Sequence, residues 1–481
     1  MICYFIIFKK AGLFSGISSC LLLFKDTSKE KNAQRFSQFV QCSSSLFAEH
    51  IETHFSKDFL EGLARKYKFV QRKSTLDASS FVNMLMFASG PSNQLSLEDL
   101  ANDFCEQNEI SISKQGLHER FNDFSVDFMQ ALLKEQLAGQ LPSVQNAEVY
   151  RHFKRVRIKD STRYSVPKEY ASVYKGQGGI GTPAQISIQY EYDLLTGNAM
   201  DLKLTSACRN DQQDSRETLH SIEKGDLLIR DLAYTGQAYI KHISSVGAFY
   251  LNRLNSKWRV FDKECKPINF ARILKKLKKY SLPLIALEIF ISIDGELLPS
   301  RLIVSRVDHR TYKKRTEKAQ IAACSKGYQV SKSYKTRAWL NLFITNIPTQ
   351  WLSAEQVRAT YSLRWQIELI FKVWKSQGQI NKVKAMKIQR FQCQLIARLL
   401  WLLLHYQALK IVQQCIEVNC SVWKFYKVAF RLSHLLRQAI LKRKSFDLWL
   451  MKILHIAAKK YRTETKAQKP CTFEVIKAVL A

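Results

Sequence analysis

The stretch Arg155-Val-Arg-Ile-Lys-Asp160 alternates charged and apolar side chains, which predicts a β-strand that ends at an acidic residue. Two more strand candidates follow, at 185–192 and 200–206. Between them lies Leu195-Thr-Gly-Asn198, a sequence typical of a hairpin turn. The region after Asp160 is therefore expected to begin as an antiparallel sheet.

Helical and strand-like patterns alternate downstream of the hairpin. Residues 210–223 are polar and compatible with a helix, and the short apolar stretch 227–230 predicts a buried strand that delivers Asp231. Residues 235–245 again favour a helix, and 248–254 favour a strand. This order predicts an α/β fold, with a mixed sheet covered by helices.

Net charge is concentrated in two blocks of the chain. The protein has 481 residues and a formal charge of +33. Residues 240–345 hold 22 basic and 7 acidic side chains, and residues 375–481 hold 21 and 4, so the rest is nearly neutral. Such blocks favour a polyanionic partner, with nucleic acid as the first candidate. A solvated basic surface without a partner is the alternative.

Cysteine and hydropathy patterns exclude other classes of protein. The 11 cysteines include no C-x-x-C pair, which argues against a disulfide framework or a zinc site and favours a reducing, cytoplasmic setting. The apolar segment 1–24 is interrupted by Lys9 and Lys10, and the uninterrupted run 11–24 is too short to span a bilayer. The apolar run 395–412 contains charged residues, so a buried or amphipathic helix is expected. We expect no membrane contact, and the absence of a P-loop predicts no nucleotide cofactor.

A helix-turn-helix pattern occupies residues 95–122. Ser96 and Asp99 are spaced as an N-cap and its partner, and a second helix start follows at Ser113. The second helix could enter a major groove, whereas an ordinary three-helix bundle would show the same spacing. The candidate DNA-contacting residues on this helix are Lys114, Gln115, His118 and Arg120.

Residues 256–345 interrupt the α/β rhythm. They are basic and contain strand-like runs such as 289–293 and 301–304, which predict a mostly β inserted subdomain. A short basic helix is expected inside it at 270–280.

A long helix is predicted for 353–379, because the segment starts at an N-cap serine and has no proline or glycine before Gly378. At about 100° per residue its polar residues fall on one narrow face. These residues are Tyr361, Arg364, Glu368 and Lys375. The alternative is that Arg364 and Glu368 form only a solvated ion pair four residues apart.

Three acids stand in nearly neutral sequence on separate predicted elements: Asp160, Asp231 and Glu368. Hard cations such as Mg²⁺ prefer oxygen ligands, and a carboxylate-bridged pair of them can activate a nucleophile and stabilise the leaving oxygen of a phosphodiester. The pattern favours metal-dependent phosphoryl transfer.

The spacing Y-(2)-R-(3)-E-(6)-K at Tyr361, Arg364, Glu368 and Lys375 resembles the signature of family four of the bacterial insertion-sequence transposases, which use a DDE triad. The sequence around Asp160, Lys-Asp-Ser-Thr, is similar as well. So are Ile-Arg-Asp-Leu-Ala-Tyr at 229–234 and Phe-Ile-Thr-Asn-Ile-Pro at 343–348. The resemblance extends from about residue 50 to about residue 400.

This resemblance implies a ribonuclease-H-like core with the β-rich insertion between the second aspartate and the glutamate. It implies two Mg²⁺ or Mn²⁺ ions per active site, held by Asp160, Asp231 and Glu368. Tyr361, Arg364 and Lys375 would then grip phosphates of the transposon end, and Trp339 or Trp351 would stack on a flipped base.

The implied reaction is cut-and-paste transposition through a DNA hairpin, in a bacterial cytoplasm and associated with the nucleoid. The implied partners are double-stranded DNA, as terminal inverted repeats and as target, and a second copy of the chain in a homodimer. A catalytically decayed or co-opted repressor of insertion-element ends is the alternative from another class. A structure-selective nuclease would leave the Y-R-E-K pattern unexplained.

Six segments are expected. They are an extension of unknown role at 1–45, a helical DNA-binding domain at 46–145, the first part of the core at 146–255, a basic β-rich insertion at 256–345, the second part of the core at 346–404, and a basic helical C-terminal domain at 405–481.

Overall fold

The computed structural model describes residues 45–72, 74–88, 95–140, 148–178, 182–415, 421–442 and 445–460. The predictions for the N-terminal segment 1–24, and for all but the last residue of the extension 1–45, lie outside these ranges. Within them, no helix is both long and apolar enough to cross a bilayer.

Helices make up the N-terminal part of the chain. The Ser96 hydroxyl accepts from the amide of Asp99 at 3.0 Å, and the Asp99 carboxylate accepts from the amide of Ser96 at 2.7 Å, which confirms the predicted helix start. Ser113 caps the second helix, also as predicted. The helices are α1 (45–55), α2 (Lys57–Lys66), α3 (Ala78–Asn83), α4 (Leu97–Asn108), α5 (Lys114–Arg120) and α6 (Asp123–Ala138).

The central part of the chain forms a mixed sheet, as the order of elements predicted. Its first five strands lie in the order β3-β2-β1-β4-β5. Strand β4 pairs parallel with β1 and with β5, whereas β2 pairs antiparallel with β1 and with β3. The predicted hairpin joins β2 to β3 and contains Gly197 at a φ of +66°, which favours glycine. The elements are β1 (Arg155–Ser165), β2 (Gln185–Asp193), β3 (Ala199–Ser206), α7 (Asp211–Glu217), β4 (Asp226–Arg230), α8 (Gln237–Ser245) and β5 (Phe249–Arg253).

The prediction that the first strand ends at Asp160 was wrong. Strand β1 continues to Ser165, because its second half pairs with β2 residue by residue, with Ser165 opposite Gln185. Asp160 therefore lies in the middle of a paired strand. The prediction for Asp231 is confirmed, since it directly follows β4.

The basic block 256–345 continues the same sheet. Strand β9 pairs antiparallel with both β5 and β8, so the full order is β3-β2-β1-β4-β5-β9-β8-β7-β6. The expectation of a mostly β block was wrong, because three helices accompany these strands. The elements are β6 (Val260–Phe261), α9 (Phe270–Lys279), β7 (Leu284–Ile293), β8 (Glu296–Arg306), α10 (His309–Cys324), α11 (Lys332–Ala338) and β9 (Leu340–Thr345).

The predicted long helix at 353–379 is two consecutive helices, so that prediction was wrong. Helix α12 (Ala354–Ser362) ends where the amides of Leu363 and Arg364 bond to carbonyls three residues back, and α13 (Trp365–Ser376) begins directly after. Apolar burial of Leu363 and Ile367 fixes both helices on the sheet. Proline and glycine are absent from the break, so the sequence carried no cue for it.

The remaining helices cover the face of the sheet that carries Asp160. The run 395–412 lies in helix α14, and from 395 to Ile411 its side chains are buried except for the partly buried Tyr406, which confirms a buried helix. One apolar cluster joins Phe121, Ile158 and Trp401, so the N-terminal helices, the sheet and α14 share a core. The helices are α14 (Ile388–Cys415), α15 (Val422–Arg431), α16 (Ser433–Ile440) and α17 (Phe446–Lys460).

Candidate active site

Asp160 projects from the middle of β1 toward α13. Its Oδ1 accepts from the amide of Ser161 at 2.8 Å, and its Oδ2 accepts from Arg364 Nη1 at 2.7 Å. The side chain keeps 19% of its surface exposed. One oxygen of Asp160 is therefore held by its own strand, and the other is held by Arg364 at the start of α13.

Asp231 stands at the end of β4, next to β1 in the sheet. Arg230, just before it, lies opposite Lys159, just before Asp160, in the parallel pairing of the two strands. Both aspartates therefore leave the sheet at the same level. The negative charge of Asp231 raises the pKa values of Asp160 and of Tyr361, as expected for neighbours.

Arg364 connects the first acid to the third. Its Nη2 donates to Glu368 Oε1 at 2.6 Å while its Nη1 donates to Asp160. The ion pair with Glu368 is the one expected from the four-residue spacing. Because Arg364 also contacts Asp160, the alternative that Arg364 and Glu368 form only a solvated ion pair is wrong. The guanidinium is only 16% exposed, and Glu368 is 43% exposed.

The electrostatics of the cluster reflect burial and crowded negative charge. The pKa of Asp160 is raised to about 6: burial is the largest cause, the charges of Asp231 and Glu368 add to it, and the amide of Ser161 and the Arg364 guanidinium oppose it. The pKa of Arg364 is raised, because Glu368 and the other negative neighbours outweigh burial, the largest single influence. The site holds more negative charge than one arginine neutralises.

Tyr361 lies at the end of α12 beside Arg364. Its ring packs against Phe343 at 4.9 Å, and burial raises the pKa of the phenol to about 12. The buried hydroxyl has no well-formed hydrogen bond among the described residues. At neutral pH the phenol is therefore protonated and able to donate a hydrogen bond to an arriving acceptor.

An open cleft of about 530 Å³ is lined by residues of β1 and α13. Asp160 and Glu368 line it together with Lys372 and Lys375, so acids and cations face the same space. Lys375 Nζ donates to the carbonyl of Arg163 at 2.9 Å, and burial lowers the pKa of this ammonium group. The cleft has the mixed charge needed to hold both cations and phosphate groups.

The three acids suit a divalent metal in kind. Carboxylate oxygens are the ligands that Mg²⁺ and Mn²⁺ prefer, and a divalent cation would offset both the burial and the neighbouring negative charges that raise the pKa of Asp160. Among the described residues, however, no three acids, histidines or cysteines stand close enough to ligate one ion together. Arg364 fills the space between Asp160 and Glu368, so joint ligation requires this side chain to move.

The four predicted DNA-contacting residues of the second N-terminal helix have different environments. Lys114 and Gln115 are exposed and His118 is partly exposed. Arg120 instead serves the fold: its Nη2 donates to the carbonyl of Leu76 at 3.2 Å, and its guanidinium lies over the Phe69 ring at 4.4 Å. These contacts engage the guanidinium inside the domain, and a DNA contact by Arg120 stays a prediction.

Trp339 and Trp351, the candidates for base stacking, both pack on protein. Trp339 stacks on Tyr312 at 4.0 Å, with Lys278 Nζ 4.8 Å from its ring. Trp351 stacks on His152 at 4.7 Å. In this state of the molecule, stacking of Trp339 on a base would require it to part from Tyr312.

Two residues near the site were missed by the sequence reasoning. Trp365 follows Arg364 directly and is 47% exposed, and Lys372 lines the cleft. The signal for Lys372 was available, because it lies four residues after Glu368 on the same helix. Trp365 could have been found from its position beside Arg364.

Comparison with known proteins shows the family of the chain. Residues 151–404 match the family model described as a transposase DDE domain. The chain is 29% identical over 463 residues to the transposase for insertion sequence element IS231E of Bacillus thuringiensis subsp. finitimus, covering 92% of this chain and 96% of that protein. It is 31% identical over 374 residues to the transposase for insertion sequence element IS1151 of Clostridium perfringens, covering 74% and 79%. The chain therefore belongs to the DDE transposase family of bacterial insertion sequences.

Proposed function

We propose that this enzyme excises an insertion sequence and joins it to target DNA by cut-and-paste transposition, using Asp160, Asp231 and Glu368 as its catalytic triad. The observation that carries the proposal is the position of Arg364, which contacts Asp160 and Glu368 at once and whose pKa is also raised by the charge of Asp231. Carboxylates delivered by two adjacent strands and one helix are what metal-dependent phosphoryl transfer requires.

In this proposal the triad holds two Mg²⁺ or Mn²⁺ ions. Such ions would lower the pKa of an attacking water and stabilise negative charge on the leaving oxygen. Burial of Asp160 leaves its carboxyl without full hydration, so a cation gains more there than at an exposed acid. The acids alone would leave a phosphodiester repelled from the cleft.

Three side chains beside the triad would hold the DNA phosphates. Tyr361 donates from a phenol that burial keeps protonated, and Arg364 offers a planar fork suited to two phosphate oxygens. Lys375 adds a point charge on the wall of the cleft. When Arg364 turns to a phosphate, it frees the two carboxylates that it now neutralises, so DNA capture and metal binding would proceed together.

The basic block 256–345 would hold the DNA outside the cleft. Helix α9 carries five basic and no acidic residues, α10 five and one, and α11 three and none. Most of these side chains are exposed, including Lys275, Lys276 and Lys314. Lysines on helices attract the phosphate backbone without reading its sequence.

The rest of the proposal follows the resemblance. The core would be ribonuclease-H-like and the chain a member of family four of these transposases, with a hairpin intermediate. Helices α4 and α5 would bind the terminal repeats through Lys114, Gln115 and His118. Two copies would pair the ends in a homodimer, in the nucleoid-associated cytoplasm of a bacterium. The segments 46–145, 146–255, 256–345, 346–404 and 405–481 stay our proposed domain limits.

The test is a nicking assay on DNA that carries the element's own terminal repeats. We expect wild-type protein to nick at the repeat only when Mg²⁺ or Mn²⁺ is present. Binding of the repeat without nicking under any divalent ion would reject the proposal and favour a repressor that occupies insertion-element ends.

A further inference from the structure

A row of charged side chains crosses the sheet one residue before both proposed catalytic aspartates. Lys159 lies opposite Glu191 of β2 and opposite Arg230 of β4, and Glu191 lies opposite Asp201 of β3. We call Asp201, Glu191, Lys159 and Arg230 the charged row. Because side chains alternate along a strand, the charged row projects from the face opposite to Asp160.

Glu191 is the carboxylate common to both cations of the charged row. Its oxygens lie 3.2 Å from Arg230 Nη2 and 3.8 Å from Lys159 Nζ. Lys159 also contacts Asp201 at 3.0 Å and Asp214 of α7 at 2.6 Å. The two strands that carry the aspartates are therefore tied on their far side to one acid.

All of these groups except Asp201 are fully shielded from solvent. Lys159, Glu191, Arg230 and Asp214 each expose none of their surface. Burying charges is costly, and well-packed apolar residues of similar volume often stabilise a protein as well or better. Stability by itself is therefore a poor explanation for placing four charges here.

Register offers a better explanation. Slippage of a strand by one residue moves every side chain to the other face of a sheet, so Asp160 would leave the cleft, and Asp231 would no longer leave the sheet at the level of Asp160. Opposite charges in a buried row penalise such slippage, because each displaced charge would lose its partner. The cations precede the aspartates directly, so they fix the peptide units from which the carboxylates project.

We infer that Glu191 is a positioning residue for the DDE site, holding Asp160 and Asp231 at one level through Lys159 and Arg230. The inference rests on the proposed function, because it assumes that these aspartates bind metal. Glu191 itself lies on the far face of the sheet and touches neither the cleft nor the DNA.

The test compares Glu191→Gln with a control that breaks a different partly buried ion pair. Asp103 accepts from Arg437 at 2.8 and 2.6 Å and links α4 to α16, away from the cleft. Asp103→Asn should destabilise the fold without moving the acids. For each full-length protein we would measure unfolding by urea, affinity for terminal-repeat DNA, Mn²⁺ binding by calorimetry on the DNA complex, and the nicking rate.

We expect Glu191→Gln to bind DNA as wild type does, to bind Mn²⁺ at least about tenfold more weakly, and to nick about 100-fold more slowly. These magnitudes are those of a lost outer partner of a metal site and of a displacement near 1 Å. Asp103→Asn should lose stability yet keep wild-type Mn²⁺ affinity. Equal Mn²⁺ affinity in Glu191→Gln and wild type would overturn the inference but leave the proposed function standing.

A second pair of variants covers the case in which Glu191→Gln does not fold. Arg230→Lys keeps the positive charge beside Glu191, and Arg230→Met removes it at similar size. We expect Mn²⁺ affinity within about threefold of wild type for the lysine variant and a loss of about tenfold or more for methionine. Equal affinities in these two variants would overturn the inference. Wild-type protein that binds no Mn²⁺ at all would reject the proposed function and this inference with it.

Discussion

The two faces of strand β1 use similar residues in opposite ways. On one face, Asp160 meets Arg364 at the wall of an open cleft. On the other, Lys159 and Arg157 meet Glu191 in a sealed layer beneath α7. Both faces pair acids with cations, and only solvent access differs.

The difference indicates what each set of charges can do. On the open face, water, metal or phosphate can replace a partner, so the ion pair there can be exchanged during a reaction. On the sealed face, no replacement is at hand, and loss of one partner leaves the other buried and uncompensated. The open face is suited to chemistry and the sealed face to holding the strands in place.

The largest expected effect concerns the open face. If the three acids hold the metal ions as proposed, Asp160→Ala, Asp231→Ala and Glu368→Ala should each lower the nicking rate by about 10³-fold or more, because each would remove several kcal/mol of transition-state stabilisation. DNA binding should persist, as measured by gel shift. Glu223→Ala, at an exposed acid paired with Lys154, is the control. A triad variant with full cleavage would refute the assignment.

The next effect concerns the sealed face. Arg157 pairs with Glu191 at 3.0 Å and with Asp226 at 3.1 Å, and its side chain is 2% exposed. Arg157→Met should lower the free energy of unfolding by about 3–5 kcal/mol in urea titrations, because it removes one cationic partner from each of two buried carboxylates. Lys241→Ala, which breaks an exposed pair with Glu296, should leave the unfolding curve unchanged. Similar unfolding curves for both variants would show that buried and exposed ion pairs contribute equally to stability.

The pH dependence of stability should report on Asp160. Its folded pKa of about 6 lies above its ordinary value of 3.8, so the folded protein retains a proton that the unfolded chain has released. The resulting stability is fully present below pH 3.8 and is lost as the pH rises through about 6. Without metal, wild type should lose up to about 3 kcal/mol relative to Asp160→Asn over this window. Parallel curves for the two proteins would show that burial does not hold the proton.

The smallest effects extend the comparison to the N-terminal helices. Arg120 is engaged inside its domain, whereas Lys114 is exposed on the same helix. Arg120→Ala should lower the free energy of unfolding by about 1–2 kcal/mol and leave DNA affinity intact. Lys114→Ala should leave stability intact. It should also reduce the slope of log affinity against log salt concentration for repeat binding by about 1. The reverse result would exchange the two roles.

Much of the fold followed from local pattern. The strands at 185–192, 200–206 and 227–230 and the capped helix starts at Ser96 and Ser113 agree with the structure, because each depends on neighbouring residues. The full length of β1 did not follow. Pairing with β2 extends it beyond Asp160, and such partners are remote in sequence.

The site was predictable in part. The spacing of Arg364 and Glu368 predicted their ion pair, and the structure confirms it. The contact of Arg364 with Asp160 spans 204 residues, and no periodicity within one helix can reveal it. The tertiary partners of Arg120, Phe69 and Leu76, could likewise not be read from the sequence, because they lie between α2 and α3, far from Arg120 along the chain.

Strand β9 has a mechanical consequence for the basic insertion. Because β9 bonds to β5 on one edge and β8 on the other, the insertion shares continuous backbone hydrogen bonds with the strands that carry Asp160 and Asp231. A force applied to helices α9 to α11 would be transmitted to those strands through the paired strands of the sheet. DNA bound to these helices could therefore displace the strands that carry Asp160 and Asp231.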